Sequence, residues 1–170
     1  LTGGVMMTNF SDLTILFLGL EILSISLYIL AGSDKGNLFS NEASLKYFMI
    51  GSFATGFLLF GIALIYVATS SFNLQEISTY VHQHKGSLPT YFYAGILMIL
   101  TGLTFKVSAV PFHFWAPDVY DGSPTLVTTY MLSVVKMAAF AALYRLFINC
   151  FAPVYEFWIP VFAIMSAVTM

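Results

Sequence analysis

The chain has 170 residues, of which 59% are hydrophobic and 8% charged, with a mean hydropathy of +0.87. A soluble domain is about 25% charged, so an ordinary globular enzyme is excluded and a membrane protein is indicated. Six basic and eight acidic residues leave a net charge of −2, which offers no footing for nucleic acid.

A secretory leader is not expected at Leu1, where no basic stretch or cleavage site is present. The chain reads instead as a piece cut from inside a longer membrane protein. It would hold the tail of one helix, four complete helices and the start of a sixth. The complete ones are apolar segments at 13–31, 47–68, 88–117 and 122–144. Each is near or above the ~20 residues that cross a ~30 Å hydrocarbon core. With flanking residues the expected helices are about 13–31, 43–68, 88–117 and 122–146, with a partial one at 154–170. The apolar run 157–170 looks too short to span. The expected fold class is all-α, a polytopic transmembrane helix bundle.

The first segment carries one charge, Glu21, nine residues in and too deep to reach an interface easily. Ser24 and Tyr28 follow at i+3 and i+7, so they share its face and can hydrogen-bond a carboxyl. A protonated glutamate tying two helices together would need the same neighbours. Lys46 leads the second segment, about one turn in, where snorkelling to the headgroups is also open to it. The loops at 32–44 and 69–87 carry too few Lys and Arg to orient the chain. Within the second loop, Leu74, Ile77 and Val81 fall on one helical face and predict a short interfacial helix. His82 and His84 have no third ligand nearby and read as solvated loop residues.

The third segment is the most informative. Lys106 sits deep inside it, where a charge costs roughly 2.5–3.5 kcal/mol by insertion scales and snorkelling is implausible. Pro111 removes a backbone donor and collides with the carbonyl of Val107, so the helix should loosen somewhere in 107–112. Irregular backbone at that depth must be buried in protein or line a hydrated cavity. His113, seven residues beyond Lys106, would lie about 10 Å along an unbroken helix and on nearly the same face. A neutral imidazole can accept a proton on one nitrogen and donate from the other. A histidine bonded to a freed carbonyl is the structural alternative.

Lys136 lies mid-way through the fourth segment. Thr125, Thr129 and Ser133 precede it at spacings of 4, 4 and 3, which predicts a hydroxyl stripe leading to the ammonium. Such a stripe also serves helix packing. Cys150, the one cysteine, has no metal-ligand spacing around it and reads as apolar filler. A carboxylate, three amines and an imidazole across successive helices form a row of coupled proton sites. No phosphate loop, nucleophile triad or Cys/His cluster appears.

Four motifs carry a family resemblance: Leu18-Gly19-Leu20-Glu21, Leu45-Lys46-Tyr47-Phe48, Phe105-Lys106-Val107-Ser108-Ala109-Val110-Pro111-Phe112-His113-Phe114-Trp115, and Pro117-Asp118-Val119-Tyr120-Asp121-Gly122-Ser123-Pro124-Thr125. In this order and spacing they resemble the antiporter-like membrane subunits of respiratory complex I, most of all the subunit N branch, over essentially the whole chain. The resemblance implies half of an inverted-repeat fold with one proline-broken helix, the full helices being the family's fifth to eighth. Residues 1–170 would then be one fragment of a single proton-conducting domain.

By the same resemblance, Glu21 and Lys46 match the family's glutamate–lysine pair, Lys106 and His113 its broken-helix lysine and histidine, and Lys136 the lysine of the next helix. Ser24, Tyr28, Ser108, Thr129 and Ser133 are the supporting polar groups, and Pro111 marks the break. The implied function is proton translocation as a subunit of NADH–quinone oxidoreductase. No cofactor is expected in this chain. NADH, FMN, iron–sulfur clusters and quinone would belong to partner subunits, and the other partners would be membrane-arm subunits and the lipid bilayer. The implied location is a bacterial inner membrane, or an organellar one. A subunit of a multisubunit cation/proton antiporter, or a purely structural membrane anchor, are the competing readings.

Overall fold

A computed structural model describes all residues, 1–170, and its regular elements are helical. They are α1 (Thr2–Thr8), α2 (Leu13–Ala31), α3 (Leu38–Thr69), α4 (Leu74–Gln83), α5 (Thr90–Val107) and α6 (Ala116–Gly122). α7 (Thr125–Cys150) and α8 (Tyr155–Thr169) complete the set. α7 is α-helical except for two π-helical stretches, Met131–Val135 and Arg145–Cys150.

Local chemistry sets the starts. The side chains of Asp12, Asn37 and Asn73 accept from the backbone N–H two residues on, capping α2, α3 and α4. Pro89 and Pro124 directly precede α5 and α7. Ser123 is extended at φ −81° and ψ 151°, as a residue before proline prefers. That is what separates α6 from α7.

Five helices are long and apolar enough to cross a membrane, among them α2, α3, α5 and α7, and the chain is an integral membrane protein. Such helices gain little from hydrophobicity in lipid and associate by close packing. α3 and α5 share the most extensive contact, and they approach closely where Gly61 and Gly95 face each other. A Cβ at Gly61 would lie 2.8 Å from the Gly95 carbonyl oxygen. The buried interior runs through Leu20, Leu27, Tyr47, Leu58, Ile99 and Leu103. Phe53, Leu126 and Met137 project outward.

Several expected boundaries are corrected. α3 begins at Leu38 rather than near 43, because Asn37 caps it, so residues 38–44 are helix rather than loop. The segment 88–117 is not one helix with a loosened middle. α5 ends at Val107, residues 108–115 turn, and α6 is a separate element. The helix expected at 122–146 runs from Thr125 to Cys150. The final segment begins earlier than the apolar run suggested, with a 3-10 turn at Ala152–Val154, and reaches 18 residues. The short helix expected at 74–81 falls where its pattern put it, with Leu74, Ile77 and Val81 buried.

Candidate functional site

Lys106 occupies the last turn of α5 and is 3% exposed. Its Nζ has no hydrogen-bond partner and takes part in no ion pair. Aromatic faces surround it instead. The ammonium stands 5.4 Å from the ring centroids of both Tyr28 and Tyr47, and 5.7 Å from that of Phe105. These rings come from α2, α3 and α5, so three helices enclose one amine. Tyr28 and Tyr47 meet edge to face at 4.8 Å. Gly51 leaves room for the Tyr28 hydroxyl, which any Cβ there would strike.

Immediately beyond, Ser108 adopts the left-handed conformation, φ 63°, and stops the helix. Two of the carbonyls released by the stop are captured. Phe105 O accepts from Ser108 N at 3.1 Å and from the Trp115 indole N–H at 3.3 Å, and Thr104 O accepts from Ala109 N at 3.1 Å. The Trp115 ring stacks on Tyr47 at 4.8 Å and on Phe105 at 4.9 Å. Pro111, at the expected break, is exposed. So is His113, and the same-face argument linking it to Lys106 fails because no helix connects them.

Glu21 is half-buried on α2, the helix that also carries Ser24 and Tyr28. Ser24 is buried and donates to the Leu20 carbonyl at 2.5 Å, one turn back, rather than to Glu21. The expected meeting of Glu21 and Lys46 is not made. Lys46 Nζ lies 2.7 Å from Glu42 and 2.7 Å from Asp118. The early start of α3 explains this, since Glu42 becomes a helical residue one turn before Lys46. Asp118 arrives on α6, whose Gly122 packs directly against Phe39 and Ala43 of α3.

Lys136 is half-buried, its Nζ 5.8 Å from the Tyr120 ring centroid. Tyr120 in turn shares a 3.3 Å hydrogen bond with the Ser108 hydroxyl. Burial pushes the Tyr120 phenol above its ordinary range, and the Ser108 contact pulls against that. The hydroxyl stripe does not lead to the ammonium. Thr129 and Ser133 are exposed and donate to carbonyls four residues back, at 2.8 and 2.7 Å. The π-helical stretch at Met131–Val135 is the reason, because its wider turn offsets the register between stripe and lysine. Lys136, Ser108, Thr104 and Thr169 line a cleft of about 480 Å³ between α5, α7 and α8.

Sequence reasoning missed Glu42 and Asp118 as ion-pair partners and Tyr47 and Tyr120 as lysine-facing rings. Asp118 and Tyr120 stood in a quoted motif, and Tyr47 follows Lys46 directly, but no helical spacing joins any of them to its lysine. Together the groups form two polar stations. One is the enclosed Lys106 with its surrounding rings, the other Lys136 with Tyr120 and Ser108 beside the cleft. Both abut the break after α5. No group of three or more His, Cys, Asp or Glu side chains converges as a metal site would need.

Residues 11–170 match the family described as NADH:quinone oxidoreductase/Mrp antiporter, TM. The chain is 53% identical over 146 residues to NADH-quinone oxidoreductase subunit N of Flavobacterium psychrophilum, covering 86% of this chain and 32% of that relative. Among solved structures, it is similar to a chain of respiratory complex I from Thermus thermophilus with bound aureothin, at 40% identity and a TM-score of 0.72. That match covers 84% of this chain and 31% of the other. The Mrp complex from Dietzia sp. DQ12-45-1b matches at 26% identity with a TM-score of 0.73, over 84% of this chain and 26% of the other. The chain thus spans about a third of the length of the curated relatives it matches.

Proposed function

Since the chain belongs to the NADH:quinone oxidoreductase/Mrp antiporter membrane family, we propose that it forms a proton half-channel of a subunit N of NADH–quinone oxidoreductase in a bacterial plasma membrane. Protons would move along Glu21, Lys106 and Lys136, with Lys46 and His113 outside the relay, and electron transfer from NADH through FMN and iron–sulfur clusters to quinone is confined to partner subunits. The remaining membrane-arm subunits and the bilayer are its neighbours, and residues 1–170 act as one part of a single transporter domain.

The observation that carries this reading is Lys106. A lysine at 3% exposure with no hydrogen bond and no carboxylate in contact is costly to keep charged. Such groups at membrane depth are kept where they move ions or protons. The residues directly after Lys106, Val107 and Ser108, line the cleft that holds Lys136. The step required is reversible: Lys106 releases a proton toward the Ser108–Tyr120–Lys136 station and regains one from the Glu21 side. The greater identity to subunit N than to the Mrp chain favours the respiratory complex over the cation/proton antiporter.

The test uses the intact complex, with assembly verified and protons pumped per electron measured. Lys106→Met removes the proton site, and Lys106→Arg keeps a charge whose pKa, above ~12, prevents release. Both are expected to lower pumping strongly while quinone reduction and assembly persist. Normal pumping in both variants returns Lys106 to a structural role.

A further inference from the structure

The surroundings of Lys106 have a chemistry of their own. A buried ammonium normally finds a carboxylate or several oxygens, because an unpartnered charge in a low dielectric is expensive. Here the contacts given to Nζ are three ring faces at 5.4, 5.4 and 5.7 Å. All lie within the ~6 Å at which an aromatic quadrupole attracts a cation. Tyr28 and Tyr47 are 6% and 1% exposed, so the attraction is little screened by water. The geometry is built rather than incidental. Tyr28 is held edge-on by Tyr47 and Phe48, and Tyr47 is clamped by the Trp115 stack. Gly51 vacates the space that the Tyr28 ring needs to reach this position.

We propose that Tyr28, Tyr47 and Phe105 form an aromatic cage that holds the charged Lys106 side chain in place of a carboxylate, making Tyr28 and Tyr47 positioning residues for proton transfer. This rests on the reading of Lys106 as a proton site. The cage gives the ammonium a resting place distinct from the Glu21 side. The lysine can therefore remain protonated without forming an ion pair that it would have to break before each transfer. The ring electrons do the holding, and the phenol hydroxyls are dispensable.

A fluorine series separates ring electrons from ring shape. In the intact complex, Tyr47 is replaced by phenylalanine and then by mono-, di- and trifluorinated phenylalanine, with the same series at Tyr28. Fluorine drains the negative face of the ring while nearly preserving its volume. Protons pumped per electron and the temperature at which the complex loses assembly are both read. Tyr47→Phe is expected to stay within about twofold of the native protein, and pumping is expected to fall in steps, about tenfold across the series. A merely structural role leaves both readouts flat from phenylalanine to the trifluoro variant, and that flat result overturns the cage. Lys106→Met is run in parallel. If it abolishes pumping while the series is flat, only the cage fails. If it pumps normally while stability still declines in steps, the cage stands and the proton-site reading fails.

Discussion

Lys46 and Lys106 are the same side chain, and each lies next to a tyrosine or phenylalanine in sequence, yet their surroundings share almost nothing. Lys46 is 41% exposed and gripped by two carboxylates, each at 2.7 Å. Lys106 is 3% exposed, touches no carboxylate and stands among rings. The first arrangement fixes a position: it ties α6, the element after the break, to α3. Exposed pairs of this kind contribute little to stability, because water already solvates both partners. The second arrangement holds the charge by ring faces alone, so no ion pair has to break before a proton can leave. Burial and partnering, rather than residue type, separate a clasp from a proton site.

The contrast can be broken at either end. The largest effect is expected at Lys106. Replacing it by methionine should lower coupled pumping by more than about tenfold with assembly kept, measured as protons per electron in the reconstituted complex. Next is Gly51→Val, which leaves Lys106 in place but drives a side chain into the Tyr28 hydroxyl. Overpacking at such a site costs about 1–3 kcal/mol, and it should appear as a lowered assembly temperature together with reduced pumping. At the other lysine, Asp118→Asn removes one of two carboxylates from an exposed cation. Pumping should fall by about twofold or less, and raising the salt should narrow the gap between variant and native protein. A loss at Asp118 as large as that at Lys106 would erase the distinction between clasp and proton site. The smallest effect is expected from Ser133→Ala, whose hydroxyl is exposed and bonded only to its own helix. Its thermal stability should stay within about 0.5 kcal/mol of native, with unchanged pumping.

Much of this was legible in the residue pattern, and the part that was not has a common cause. Helices long enough to span, the apolar face of α4 and the break near Pro111 all follow from local rules of length, period and proline geometry. Lys106 stood out because a charge deep in an apolar run needs no neighbour to be conspicuous. What the pattern misplaced depends on register carried through an irregularity. His113 was projected along a helix that ends at Val107. The Thr125–Thr129–Ser133 stripe was projected onto Lys136 through a π-helical stretch that no residue type announces. The partners of Lys46 were missed for a related reason. Asp118 lies 72 residues away, and Glu42 was read as loop until the cap at Asn37 made it helix. The aromatic cage is a purely tertiary object, since Tyr28, Tyr47 and Phe105 share no period.

The Tyr47–Trp115–Phe105 stack has an optical consequence. The chain contains two tryptophans, and the other, Trp158, packs against Phe147 and Phe162 away from the stack. With Trp158→Phe, Trp115 becomes this segment's sole indole emitter, sandwiched between two rings that also face the Lys106 ammonium. An indole's emission colour responds to the electric field across its ring, so a unit charge arriving at or leaving Lys106 falls within its range. The segment thereby carries its own spectroscopic probe, placed against the group whose charging it would report, with no label to perturb the packing.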